Sequence, residues 1–321
     1  EFRRVLFRSA CKDYLWGGTK LKENYNKKTD LDIVAESWEL STHKDGQSIV
    51  DSGEYKGLTL SEYVEKLGKD ALGTKGNAFE FFPILIKFID AKGNLSIQVH
   101  PDNEYALRVE KEYGKTEMWY ILDAEEGASL YYGTNKEITK DEFRARIEDN
   151  TILDVLKKVP VHKGDVFFIE SGTIHAIGEG IVICEIQQNS NTTYRVYDFG
   201  RVGKDGKPRE LHIEKAIDVS NLTPLESDFK PIGEEKDYGT YKCAMMATCE
   251  YFTTYVYDVK TECSVKVDEE SFASFVIVDG EGSIESDDTM LSIRKGDSVF
   301  ASANTGKVTI KGSCRFILSK V

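Results

Sequence analysis

Residues 94–103 read NLSIQVHPDN, so that Leu95, Ile97 and Val99 alternate with Ser96, Gln98 and His100. Alternation with a period of two marks a strand with one buried face. The polar row of such a strand is ordinarily a solvated mixture of Lys, Glu, Thr and Ser. Here it is a hydroxyl, an amide and an imidazole. Gln98 and His100 stand two apart and therefore share a face. A second run, TEMWYIL, puts Glu117 on one face with Trp119 and Ile121, and a further histidine, His175, follows the turn at Gly172. Neutral imidazole, carboxylate and amide oxygen suit a divalent first-row ion, zinc above all. Taken singly, each residue is more often a surface or hydrogen-bonded side chain, and glutamine is an unusual ligand. Spacing alone raises a metal site without establishing it.

The elements that must position these residues are mostly strands. FFPILIKFID, EMWYILDA, DVFFIESG, IVICEIQQ, FASFVIVDG and RFILSK are short apolar runs separated by Gly, Asp and Asn turns. That pattern predicts a mainly β architecture. Three segments carry helix signals instead. TLSEYVEKLG has a capping box in Thr59 and Glu62, and TKDEFRARI repeats it with Thr139 and Glu142. PDNEYALRVEKEYG starts at Pro101 and Asp102 and is expected to stop at Gly114. These helices are expected as decoration on the β scaffold. The polar, turn-rich ESDFKPIGEEKDYGT marks a boundary between domains at 10–232 and 233–321. KGDVFFIESGTIHAI, from residue 163, aligns with KGDSVFASANTGKVTI, from residue 295, with His175 against Lys307 and Gly172 against Asn304. If the halves are related, only the first can hold a metal.

Bulk properties narrow the function. The chain has 321 residues and a formal net charge of −13, which argues against nucleic acid or an anionic membrane as main partner. A small anionic substrate remains compatible, because it responds to local cations. Six scattered cysteines without a Cys-x-x-Cys pair suit a reduced, cytoplasmic protein. The most apolar stretch, FFPILIKFI, holds Pro83 and Lys87 and is too short to span a bilayer. EFRRVLFRSA has positive charge without an apolar core or cleavage site; residues 1–9 read as artefactual and are expected to lie outside the fold.

LSIQVHP, GKTEMW, GDVFFIESGTIHAI and EIQQNSNTTYRVYDFGR occur in one order, together with WGGTKL and AESWELS. In this the chain resembles the type I mannose-6-phosphate isomerases of the cupin superfamily, in their short bacterial form, from about residue 12 to the end. The resemblance implies two cupin-type β-barrel (jelly-roll) domains with a few short helices inserted in the first, the second domain being degenerate. It implies one Zn2+ per chain on Gln98, His100, Glu117 and His175, an active-site arginine at Arg195, and Ser96, Lys87 and Lys115 lining the substrate pocket. The stretch between Glu117 and His175 is too short for the large helical domain of the family's long members. Glu170 stands where a general cupin motif has proline.

The implied reaction interconverts mannose 6-phosphate and fructose 6-phosphate through an enediol, in a monomer or weak homodimer. Lys87, Lys115 and Arg195 are the cations available to the substrate, and Lys87 interrupts an apolar run where an idle charge is costly. The proton carrier is open between Glu185 and Lys115, and Glu185 could equally orient His175 or Arg195. Trp16, Trp38 and Tyr194 are either pocket walls or ordinary core aromatics. Another metal-dependent cupin enzyme, or a sugar-binding regulatory cupin, are the alternatives. The first fits the glutamine and the pocket lysines poorly; the second predicts a lost ligand or a lost Arg195.

Overall fold

Ile97, Val99, Ala176, Tyr194 and Val196 alternate along three neighbouring strands and are all buried on one side of them. They belong to an antiparallel five-stranded sheet with the order Tyr194–Tyr197, Ile97–Val99, His175–Ala176, Ser129–Thr134, Leu156–Pro160. The computed structural model describes residues 4–203, 205–286 and 289–321. Against the apolar side pack Phe143 and Ile147 of the helix Lys140–Glu148 and Ala216 and Ile217 of the helix Ile213–Val219. These helices are therefore the cover of the sheet and not decoration, because an apolar sheet face must be buried by another layer. Ile213–Val219 had no counterpart in the sequence reading. Tyr194 also belongs to this apolar side, with its hydroxyl donating to Glu110 Oε1 at 2.8 Å. It is a core aromatic. Three more antiparallel strands run in the order Val166–Ile169, Glu117–Ala124, Ile181–Gln188.

The chain divides into two compact units that do not follow chain order. One comprises Glu1–Asp13, Thr19–Phe88 and Pro231–Val321; the other, which holds the strands just described, comprises Tyr14–Gly18 and Ile89–Lys230. The first is built on a ten-stranded sheet whose core includes Phe275, Ile277, Val299, Phe316 and Leu318. Arg4–Arg8 is a strand of this sheet, antiparallel to both Ser298–Ala301 and Ile49–Val50, with Val5 buried. Arg4–Arg8, within the stretch expected to lie outside the fold, is thus part of it, since Val5, Leu6 and Phe7 have apolar surface to bury, while residues 1–3 lie outside the described residues. The turn-rich boundary near 232 falls beside Pro231, where the chain re-enters the first unit. Residues 19–88 join the same unit through long-range contacts: Thr74 N and Lys75 N donate to Glu269 O and Glu270 O, and Phe82 stacks on Phe272.

The mainly β architecture with few short helices is as expected, and the strand orders run as open paths, as in two-sheet jelly rolls. The Thr59–Glu62 capping box is present at the helix Leu60–Leu67. At Lys140–Glu148 only the Thr139 half forms, while Glu142 pairs with Lys136 and Arg146. The helix Asn103–Val109 stops well before Gly114. Gly114 is needed for another reason: a Cβ there would lie 2.4 Å from the carbonyl carbon of Asp102.

The internal repeat is structural. Its aligned segments become the strands Val166–Ile169 and Ser298–Ala301. Asp165 Oδ2 accepts from His162 N at 2.8 Å, and Asp297 Oδ2 accepts from Arg294 N at 2.9 Å. Gly172 at φ 88° is matched by Asn304 at φ 62°, a left-handed position that asparagine tolerates. Where the first repeat has His175, the second has Lys307, opposite Lys266 in its ladder.

Candidate metal centre and active site

Pairing register assembles the polar row. His175 lies directly opposite Gln98, and Gln98 on its other side lies opposite Arg195. Residues opposed in this way project to one face with Cβ atoms about 5 Å apart. The row His175–Gln98–Arg195 therefore crosses three strands on the face turned away from the apolar cluster. The strand Glu117–Ala124 brings Glu117 to the same place, and His100 follows the end of the strand Ile97–Val99. Ligating atoms of His100, Glu117 and His175 lie within 4.8 Å of one another, and all three residues are buried. His175 Nε2 stands 3.2 Å from Glu117 Oε1, and His100 Nε2 stands 3.6 Å from Glu117 Oε2.

Both imidazoles are oriented by backbone. His100 Nδ1 is 3.0 Å from Thr192 O, and His175 Nδ1 is 2.8 Å from Thr173 O. A carbonyl can only accept, so each Nδ1 carries the proton and each Nε2 presents its lone pair to the cluster. Burial, then the Lys115 charge, pushes the His100 imidazole well below its usual range. Burial alone would raise the Glu117 carboxyl, but Lys115 and His100 outweigh it and hold the group well below the carboxylate range. Neutral imidazole beside carboxylate is the protonation state that a metal requires of its ligands.

These residues fit a divalent ion. Glu117 Oε1 and Oε2 and His175 Nε2 are buried without a hydrogen bond of acceptable geometry, although Lys115 Nζ stands 3.0 Å from Oε2. Buried acceptors left unpaired are costly, and a group of them around one point is a place for a cation. Lys115 Nζ, also 3.1 Å from His100 Nε2, is a cation already drawn to that point.

The other expected residues divide into groups. Arg195 Nε donates to Ser96 Oγ at 3.3 Å, and Nη1 donates to Glu210 O at 3.0 Å. Beside it, Asp198 receives Arg201 at 2.6 Å and Arg209 at 2.6 and 2.8 Å. Burial, and next the Arg209 charge, lowers the Arg195 guanidinium from its ordinary value. Two guanidiniums thus share one carboxylate, whose charge Arg195 also feels. Arg201 and Arg209 were not singled out in the sequence. Glu185 lies opposite Trp119 and accepts its indole N–H at 2.9 Å, and the Trp119 ring meets that of His175 at 5.3 Å.

Lys87 and Trp38 belong to the first unit. Lys87 is 3 % exposed, 3.5 Å from Glu36 Oε2, with its Nζ 4.8 Å from the Trp38 ring centre. Trp16 is buried against Tyr14, ring centres 5.7 Å apart, and its carbonyl accepts from Gly93 N.

Comparison with known proteins identifies the family. Residues 5–130 match the family model for the phosphomannose isomerase type I catalytic domain, and residues 242–321 match that for the mannose-6-phosphate isomerase cupin domain. The chain is 36% identical to the mannose-6-phosphate isomerase ManA of Bacillus subtilis over 98% of each chain. It is 38% identical to the mannose-6-phosphate isomerase of Streptococcus mutans, covering 91% of this chain and 90% of that one. The crystal structure of the mannose 6-phosphate isomerase from Bacillus subtilis superposes with a TM-score of 0.91 at 33% identity, covering 99% of both chains. Alike in fold and in sequence along nearly its whole length, the chain belongs to the type I phosphomannose isomerase family.

Proposed function

We propose that the protein is a zinc-dependent aldose–ketose isomerase interconverting mannose 6-phosphate and fructose 6-phosphate, with one zinc per chain on Gln98, His100, Glu117 and His175. The observation that carries this reading is the buried His100–Glu117–His175 cluster, in which both Nε2 atoms face the Glu117 carboxylate, and His175 Nε2 and both carboxylate oxygens lack a hydrogen bond among the described residues. Gln98 supports a fourth donor by its register opposite His175.

The reaction removes the proton on C2 of the open-chain aldose and delivers one to C1, while the C1 oxygen gains a proton and the C2 hydroxyl loses one. Negative charge develops on the enediol oxygens between these steps. A bound zinc ion would supply Lewis-acid stabilisation of that charge. Arg195, in the same row as Gln98, adds a planar guanidinium to the developing enediolate. Lys115, buried between Glu117 and His100, and Glu185, buried on the indole of Trp119, are the candidate proton carriers. The surplus of Arg195, Arg201 and Arg209 over Asp198 supports recognition of a phosphate dianion. Ser96 orients Arg195 and, with Trp16, completes the substrate-binding set of the unit that holds the cluster.

The compartment we propose is the cytoplasm, for a monomer or weak homodimer. None of the six cysteines is in a disulfide, and among the described residues no helix is long and apolar enough to cross a membrane. A coupled assay on mannose 6-phosphate, before and after chelation and after zinc is returned, tests the reading. Loss and recovery of turnover support it; chelator-resistant turnover, or none with zinc present, removes it.

A further inference from the structure

Gln187 lies directly opposite Glu117 in the pairing of Glu117–Ala124 with Ile181–Gln188, so the two side chains share a face. Trp119 and Glu185 occupy the next rung of that face, and Trp119 meets His175 there. Gln187 is fully buried. Its Nε2 donates to Gln188 O at 2.8 Å and to Ser190 O at 2.6 Å. Those two carbonyls settle the amide orientation, because reversing it would set oxygen against oxygen. The other end, Oε1, is buried and has no hydrogen-bond partner.

The nitrogen of this side chain has a structural use, since it holds the turn after Gln188. Ser190 Oγ in that turn accepts from Thr192 N, and Thr192 O orients His100. The oxygen has none among the described residues. A buried acceptor without a donor opposes folding, and methionine would fill the same volume without that cost. The acceptor faces the ligand cluster's side of the sheet, beside the unpaired Glu117 oxygens, where the complementary chemistry is an O–H donor.

We propose that Gln187 is a substrate-contacting residue whose amide oxygen accepts a hydrogen bond from a hydroxyl of the open-chain sugar phosphate. This rests on the isomerase reading and adds to it a residue that fixes the orientation of the sugar at the metal cluster. Water at the cluster offers the same O–H chemistry, and the experiment separates the two sources.

The zinc-loaded wild-type protein and its Gln187→Met, Gln187→Glu and Ser190→Ala variants are compared by elemental analysis, thermal unfolding, kinetics on mannose 6-phosphate and calorimetry. The calorimetric probes are mannitol 6-phosphate and its monodeoxy analogues. Gln187→Met should keep its zinc, unfold at a lower temperature because the Nε2 bonds to the turn are lost, and lose about tenfold in kcat/KM, the scale of one neutral hydrogen bond. One deoxy analogue should bind the wild-type protein about tenfold more weakly than the parent hexitol and bind Gln187→Met with no such loss, the non-additivity of a direct contact. Gln187→Glu retains an acceptor and should recover part of the discrimination; Gln187→Leu, which also lacks the oxygen, replaces Gln187→Met in the cycle if that variant does not fold.

Additive losses in every cycle with altered zinc affinity would mean that Oε1 serves water, and would overturn the proposal. Wild-type kinetics in Gln187→Met overturns it too, as does an equal kcat/KM loss in Ser190→Ala, which loosens only the turn. An inactive wild-type protein defeats the isomerase reading, while the calorimetric cycle still decides the contact; no binding of any hexitol phosphate defeats both.

Discussion

His175 and Gln98 face each other across one antiparallel rung, although 77 positions separate them in the chain, and Arg195 occupies the next strand of the same rung. A single row thus joins a histidine with a bare Nε2, an amide and a guanidinium. Direct opposition places side chains within contact distance, so in the proposed reaction the row would couple metal ligation to charge stabilisation.

Metal content follows from the bare donors. The purified protein should hold one divalent ion per chain, measured by elemental analysis. His175→Ala should lose most of that occupancy, since it removes a ligand held by Thr173 O. Chelation should lower the unfolding temperature, because an ion that binds only the folded state at 100 times its dissociation constant adds about 2.7 kcal/mol. Two ions per chain, or full occupancy in His175→Ala, would contradict the assignment.

Lys87 is buried 3.5 Å from Glu36, whose other partner is the Trp38 indole N–H. Replacing the lysine alone strands a buried carboxylate. Lys87→Met should therefore destabilise the fold, by about 3–5 kcal/mol if the pair behaves as buried pairs do. The double variant Lys87→Met/Glu36→Gln should regain most of the loss in urea unfolding while isomerase turnover stays low. A single variant as stable as the wild type would show that the pair is not needed.

Arg195 should act mainly in the transition state. Arg195→Ala should retain its metal and unfolding temperature yet lose on the order of 10²–10³ in both kcat and kcat/KM. Arg195→Lys should recover only part, because the planar fork that spans Ser96 and Glu210 O is lost. A raised KM with kcat intact would reassign Arg195 to ground-state phosphate binding.

Burial alone would raise the Asp198 carboxyl, but the hydrogen bonds and charges of Arg209 and Arg201 outweigh it and hold the group below its ordinary value. A group held low in the fold adds stability above its unfolded pKa, near ~4, and loses it as the pH falls through the folded value. Asp198→Asn should accordingly be less stable than wild type at pH 7, with the difference shrinking on the acid side of about pH 4. Urea unfolding across that range measures it; a difference that does not change with pH would exclude the ionised carboxylate as its source.

Gly172 has φ 88°, its N–H donates to His100 O, and a Cβ there would meet Val219 O at 2.9 Å. Gly172→Ala should cost at least about 1–2 kcal/mol from the left-handed backbone alone. Gly172→Asn should cost less, as the equivalent Asn304 adopts φ 62°. Thermal unfolding of both variants ranks them, and the opposite order would contradict the strain argument.

What the sequence determined by itself was local. Period-two alternation in LSIQVH fixed which side chains of that strand are apolar and which form the polar row, and Thr59 with Glu62 announced the helix Leu60–Leu67. The Lys-Gly-Asp turns at 163 and 295 announced two strands of like geometry. These signals are legible because they depend on neighbours a few residues away. Tertiary structure alone decided that Gln98 lies between His175 and Arg195, that Thr173 O and Thr192 O turn the Nε2 atoms toward Glu117, and that Arg201 and Arg209 converge on Asp198. It also drew Arg4–Arg8 and residues 19–88 into one unit with the C-terminal strands. Strand partners and register are chosen by the burial of whole faces against distant segments. That free energy is summed over the chain, and no local spacing records it.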